Sequence, residues 1–153
     1  GNAHPNIVPY QLFDSADRPF ILAAGNDRLF ARTCEVIGRP ELATDERFAT
    51  NEARVGNRRE LIPLLEEAFA AEPAERWLRA LSEGGVPSAP VRKLDEVFAS
   101  PEGRAALQQV EDGVRGMLDL VADPIRLDGR MLDVRLPPPR LGEHTREILE
   151  PPD

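Results

Sequence analysis

Fifteen prolines punctuate this chain of 153 residues, and they limit how far any regular element can run. A proline inside a helix removes a hydrogen bond at a cost of about 3 kcal/mol, and it pushes the preceding residue toward extended backbone. Val86-Pro87-Ser88-Ala89-Pro90-Val91 is therefore extended, and Pro137-Pro138-Pro139 is a stiff polyproline segment. Pro73 suits the first turn of a helix, and so does Pro101, which follows Ser100 as a cap. Pro63 is different: Leu61, Leu64, Leu65, Ala68 and Phe69 make an amphipathic stripe on both sides of it, which predicts a helix kinked at that point.

Between the prolines the apolar spacing defines further elements. Residues 10–14 and 20–24 are short apolar or aromatic runs around a polar loop, the pattern of a β-hairpin. Asn26 or Asp27 then caps a helix carrying Leu29, Phe30, Cys34 and Ile37, which Gly38 closes. Residues 39–48 form a turn-rich connector, and Asn57-Arg58-Arg59-Glu60 has the form of a capping box. Trp77, Leu78 and Leu81 belong to a helix that stops at Gly84-Gly85. A short helix over 94–99, a second strand pair within 108–121, a short strand over 124–127 and a last helix ending near Leu149 complete the order. The class is α+β: a small antiparallel sheet, several flanking helices and a proline-rich extended C-terminal tail.

Composition narrows the function. A net charge of −8, with Lys93 the only lysine among 19 basic residues, argues against a nucleic-acid surface. The arginine bias fits either a GC-rich genome or a use for forked donors at anionic groups. No apolar run approaches the roughly 20 residues of a membrane helix, so cytoplasmic residence is expected. The single Cys34 lies on an apolar helical stripe, where a buried inert thiol is the simplest reading. His4 and His144 stand at opposite ends without acidic partners, so no metal site is expected. Glu66, Glu67, Glu72 and Glu75 fall on polar helix faces as solvated charge. No phosphate loop, dinucleotide fingerprint, serine elbow or zinc motif is present. The start, Gly1-Asn2-Ala3-His4-Pro5, lacks methionine and suggests a cut from a longer polypeptide.

Particular residues carry a resemblance. Asn2-Ala3-His4-Pro5-Asn6-Ile7-Val8-Pro9-Tyr10-Gln11 ahead of a strand is followed by Ala24-Gly25-Asn26-Asp27-Arg28-Leu29-Phe30 and Arg47-Phe48-Ala49-Thr50-Asn51. Arg54-Val55, Asn57-Arg58, Gly85-Val86-Pro87-Ser88-Ala89-Pro90-Val91 and Pro137-Pro138-Pro139-Arg140-Leu141-Gly142-Glu143-His144-Thr145 complete the series. Together they resemble the C-terminal, small-domain portion of family III CoA-transferases of the CaiB/BaiF type, most of all the succinyl-CoA:glutarate branch.

The resemblance implies an enzyme that moves CoA between an acyl-CoA and a small carboxylic acid, a dicarboxylate foremost. It also implies an aspartate nucleophile in a large domain outside these residues, so no catalytic residue is expected here and this chain alone is expected to be inactive. Coenzyme A enters as substrate, and no cofactor is implied. Residues 1–127 correspond to the small domain, and 128–153 to a linker and tail returning to the large domain. A homodimer of interlocked chains is implied for the whole protein. Asn2, Ala3, His4 and Pro5 take the place of a flap over the reacting acyl group, where they can donate hydrogen bonds or exclude water; the plain alternative is a loop that simply enters the domain. The other readings are an acyl-CoA racemase-like member of the superfamily and a non-catalytic binding or assembly module.

Overall fold

The structure, a computed structural model, describes residues 1–150. The chain divides into two compact units, Gly1–Val91 and a second from Arg92 onward.

The first unit is built on a three-stranded antiparallel sheet in the order β1-β2-β3, comprising Tyr10–Asp14, Pro19–Ala23 and Ser88–Pro90. The expected hairpin is the β1–β2 pair, in register with Phe13 opposite Phe20. The extended Pro87 to Pro90 stretch adds the edge strand, where a proline's missing donor breaks no ladder bond. Phe13, Phe20 and Leu22 are buried.

Four helices complete this unit: α1 Asp27–Val36, α2 Asn51–Gly56, α3 Arg58–Phe69 and α4 Ala74–Glu83, with a 3₁₀ turn at Pro40–Ala43. Asn26 caps α1 by accepting from Leu29 N at 2.9 Å. Gly38, at φ +72°, ends it with Arg39 N bonded back to Cys34 O. The expected capping box at Asn57 does not form, because α2 runs almost directly into α3. Asn57 N bonds Ala53 O within that junction, its side chain donates to Arg47 O, and Glu60 pairs with Arg47 at 2.7 Å. The working cap is Thr50, at the start of α2, which the sequence reading did not assign as a helix. α3 is continuous through Pro63, one of its interior residues. Pro73 precedes α4, whose first N–H is capped from a distance: Asp17, in the hairpin loop, accepts from Ala74 N at 2.8 Å.

The core of this unit is aromatic. Phe69 lies 5.1 Å from both Phe13 and Phe20 and 5.5 Å from Trp77, the last two contacts edge-to-face. Trp77 Nε1 donates to Phe69 O at 2.8 Å, so its one polar atom is satisfied. Leu42, Phe48, Leu61, Leu65 and Leu81 fill the remainder. Each such burial contributes about 1.5–3 kcal/mol.

The second unit begins with α5 Leu94–Ala99 and α6 Pro101–Ala105, the latter capped by Ser100 as expected. A two-stranded hairpin of β4 Leu107–Asp112 and β5 Gly116–Val121 follows. Asp112 closes its turn by accepting from Val114 N, Arg115 N and the Arg115 guanidinium. That guanidinium holds the Asp112 carboxyl well below the usual carboxylate range, and the two N–H donors add to it. The strand expected near 124–127 is β6, Arg126–Leu127, paired with β7, Arg130–Met131. Asp128 and Gly129 make the turn between them, both at positive φ. The following segment is tied to the β4–β5 hairpin through Gln108, which donates to Leu132 O and accepts from Val134 N. The last helix, α7, is Thr145–Leu149. Val114, Met117, Val121, Leu127, Leu136, Leu141 and Ile148 remain exposed on this unit.

Candidate functional site

The loop ahead of β1 is short, yet hydrogen bonds hold it at Asn2, His4, Pro5, Asn6, Val8 and Pro9. His4 N donates to Tyr10 O at 2.9 Å, and Asn2 Oδ1 accepts from Leu12 N at 3.3 Å. The loop thus folds back along the first strand. His4 Nδ1 accepts from Asn6 N at 3.1 Å, which leaves Nε2 as the ring's donor. The imidazole is half-buried and stacks on Tyr10, with ring centroids 5.4 Å apart and planes at 15°. Asn2, Ala3 and Pro5 are exposed. The peptide between Val8 and Pro9 is cis, and Pro9 O accepts from Ala24 N as β1 begins.

Helices α2 and α3 supply the anchors. Asn51 and Arg54 lie one turn apart on α2, Arg58 opens α3 directly after it, and all three end on the loop backbone. Asn51 accepts from Val8 N at 3.1 Å and donates to Asn6 O at 2.8 Å. Arg54 is fully buried; its Nε donates to Val8 O at 2.6 Å and one terminal nitrogen to Phe48 O at 2.9 Å. Its other terminal nitrogen pairs with Asp27 at 2.8 Å, and the guanidinium lies 4.4 Å from the Phe30 ring centre. Arg58, half-buried, donates from one nitrogen to His4 O at 2.8 Å and Pro5 O at 2.9 Å.

Asn2, Ala3, His4 and Pro5 therefore sit together in one fastened loop. Gly25-Asn26-Asp27 has a separate part: Asn26 caps α1 and Asp27 meets Arg54. Gly85 to Pro90 forms the lead-in and edge strand of the sheet. Glu143 accepts from Arg140 N at 2.7 Å and His144 precedes α7, both within the second unit. Cys34 is fully buried, and that burial pushes its thiol up to about 12. Among the described residues, no three His, Cys, Asp or Glu side chains gather where a metal ion could be held. None of the described helices is long and apolar enough to cross a membrane.

The sequence drew attention to the loop but not to its anchors. Asn51, Arg54 and Arg58 stand within the motifs that carry the resemblance, with no role of their own assigned there, and their spacing of three and four residues is the local signal of a common target.

The sequence profile of CoA-transferase family III matches residues 1–145. This chain belongs to that family. Succinyl-CoA:glutarate CoA-transferase of Homo sapiens is 36% identical over 152 residues, covering 98% of this chain and 35% of that protein. Acetyl-CoA:oxalate CoA-transferase of Acetobacter aceti is 37% identical over 129 residues, covering 84% of this chain and 32% of its own length. The crystal structure of a CAIB/BAIF family protein from Brucella suis superposes with a TM-score of 0.74 at 40% identity, over 97% of this chain and 39% of that one. The chain thus spans little more than a third of the proteins it matches.

Proposed function

We propose that this chain is the C-terminal portion of an enzyme that transfers CoA between an acyl-CoA and a small dicarboxylic acid. In that enzyme it supplies an active-site loop and a scaffold, while the aspartate nucleophile lies in the large domain. The reading draws on relatives named for succinyl-CoA, glutarate and oxalate. The observation that carries it is the convergence of Asn51, Arg54 and Arg58 on the backbone of residues 4–8. A loop that merely led into the domain would not require three polar anchors.

The loop's chemistry fits a cover over a reacting carbonyl. Acyl transfer through a carboxylate nucleophile passes through anhydride and thioester intermediates, both open to hydrolysis. His4, through Nε2, and the Asn2 amide offer donors for developing negative charge, and Ala3 and Pro5 exclude water beside them. Coenzyme A is the group transferred, with no further cofactor. Residues 1–127 act as the small domain, and 128–153 return to the large domain. The exposed apolar side chains of the second unit match that role, since a surface of this kind calls for cover. A cytoplasmic homodimer completes the proposal.

The test compares His4→Ala with the wild type in the full-length enzyme, following CoA transfer from succinyl-CoA to glutarate together with hydrolysis. Slower transfer or a larger hydrolysed fraction is expected. Wild-type values for both would remove the loop from the mechanism. Turnover by residues 1–153 alone would overturn the placement of the nucleophile.

A further inference from the structure

We infer that Arg58 is the positioning residue for His4, acting through the backbone rather than on substrate. The inference rests on the reading of the loop as part of the active site. Four contacts fix the histidine: its N–H to Tyr10 O, its Nδ1 to Asn6 N, its ring against Tyr10, and one Arg58 nitrogen on the carbonyls of His4 and Pro5. The first three lie within the loop and its strand. Among the described residues, Arg58 alone ties this part of the loop to the helices by a side-chain hydrogen bond, because Asn51 and Arg54 grip it further on, at Asn6 and Val8.

That division gives the two arginines different work. Arg54 is fully buried and reaches Phe48 O and Asp27 as well as the loop, so it belongs to the packing of the unit. The contacts of Arg58 are both to the loop backbone, and the side chain is only half-buried. Its charge holds two adjacent carbonyls on one side, which sets the path of the His4–Pro5 peptide and therefore where the imidazole Nε2–H is presented. A donor held in place before the reaction stabilises developing charge without reorganising at that moment. A loop free to swing would present the same group only part of the time and would admit water in between.

The experiment uses Arg58→Ala, Arg58→Lys, His4→Ala and the Arg58→Ala/His4→Ala double variant in the full-length enzyme. Three quantities are read: the ratio of succinyl-CoA hydrolysis to CoA transfer, amide hydrogen exchange at His4 and Asn6, and the urea midpoint. For Arg58→Ala, exchange at both amides and the hydrolysis ratio are each expected to rise about tenfold, the scale of losing one guanidinium nitrogen shared between two carbonyls, one half-buried and one exposed. The urea midpoint should stay near that of the wild type. Arg58→Lys should recover part of both effects, since an ammonium can still reach a carbonyl. The double variant should match His4→Ala alone in its hydrolysis ratio. Unchanged exchange and ratio in Arg58→Ala would overturn the inference, as would effects on the ratio that add fully in the double variant. Faster exchange in Arg58→Ala together with a wild-type ratio in His4→Ala would trace the failure to the loop's role in the reaction, leaving the clamp as a structural contact only.

Discussion

Replacing Arg54 by methionine isolates what a buried guanidinium contributes to this fold. The volume is nearly kept, so the cavity left behind is small, but Val8 O and Phe48 O lose their donors in a closed interior. An unsatisfied buried carbonyl costs about 1–3 kcal/mol. The contact with the Phe30 ring contributes about 1–2 kcal/mol when desolvated. The ion pair adds at most about 1 kcal/mol, because the Asp27 carboxylate is 56% exposed and screened by water. The effects overlap, and a total loss of about 3–5 kcal/mol is expected, a large share of the 5–15 kcal/mol typical of a domain. Urea unfolding followed by fluorescence of Trp77, the only tryptophan and part of the same core, reads this directly. With a slope of about 1.5 kcal/mol per molar, the midpoint should fall by roughly 2–3 M. Arg54→Lys should lie between, and Asp27→Asn should cost less than about 1 kcal/mol. A methionine variant within 1 kcal/mol of the wild type would refute the reasoning. So would an Asp27→Asn variant as damaged as Arg54→Met, since the carboxylate and not the carbonyls would then dominate.

Three further outcomes can be checked. Cys34 should resist a thiol reagent at pH 8 until the protein unfolds. Because its folded-state value is about 12 against an ordinary 9.0, stability should decline as pH rises above about 9; rapid native labelling would contradict both. Asp112 and Asp17 are held below the ordinary carboxylate range, Asp112 chiefly by Arg115 and Asp17 chiefly by the Ala74 N–H. Their contribution is present above about pH 4 and is lost as pH falls through the folded-state values, so the thermal midpoint should drop on acidification, less steeply in Asp112→Asn and Asp17→Asn. Gly103→Ala would place a Cβ 1.9 Å from Val97 O and should destabilise the α5–α6 corner by about 1–3 kcal/mol or more, whereas Gly56→Ala meets nothing within 4 Å and should be neutral or better. Equal thermal midpoints for the two alanine variants would contradict this.

The parts of the fold readable in the sequence are those fixed by local chemistry. The hairpin follows from two apolar runs flanking a polar loop, the close of α1 from Gly38, and the start of α6 from Ser100-Pro101. What escaped depends on distant partners. Asn57 has a capping sequence, but a preceding helix already satisfies its surroundings. Asp17 caps a helix 57 residues away, and no local pattern announces that. Arg54 would be placed on the surface by its type alone; its burial requires a carbonyl 46 residues earlier. Asp128-Gly129 is a local hairpin signal, yet its two-residue strands are too short for alternation to mark them. The candidate site divides in the same way: the loop residues stand together in sequence, while the side chains that hold them come from another part of the chain.

For anyone building chimaeras between relatives, the anchoring of residues 2–8 changes what counts as a transferable piece. The stretch looks like a cassette, compact and terminal to the first strand. It is instead one half of a matched set, with its other half at Asn51, Arg54 and Arg58. A graft of the loop alone would bring a backbone path that the host's helices were not shaped to receive. Moving residues 2–8 and 50–58 together keeps each hydrogen-bond donor with the acceptor it was shaped for.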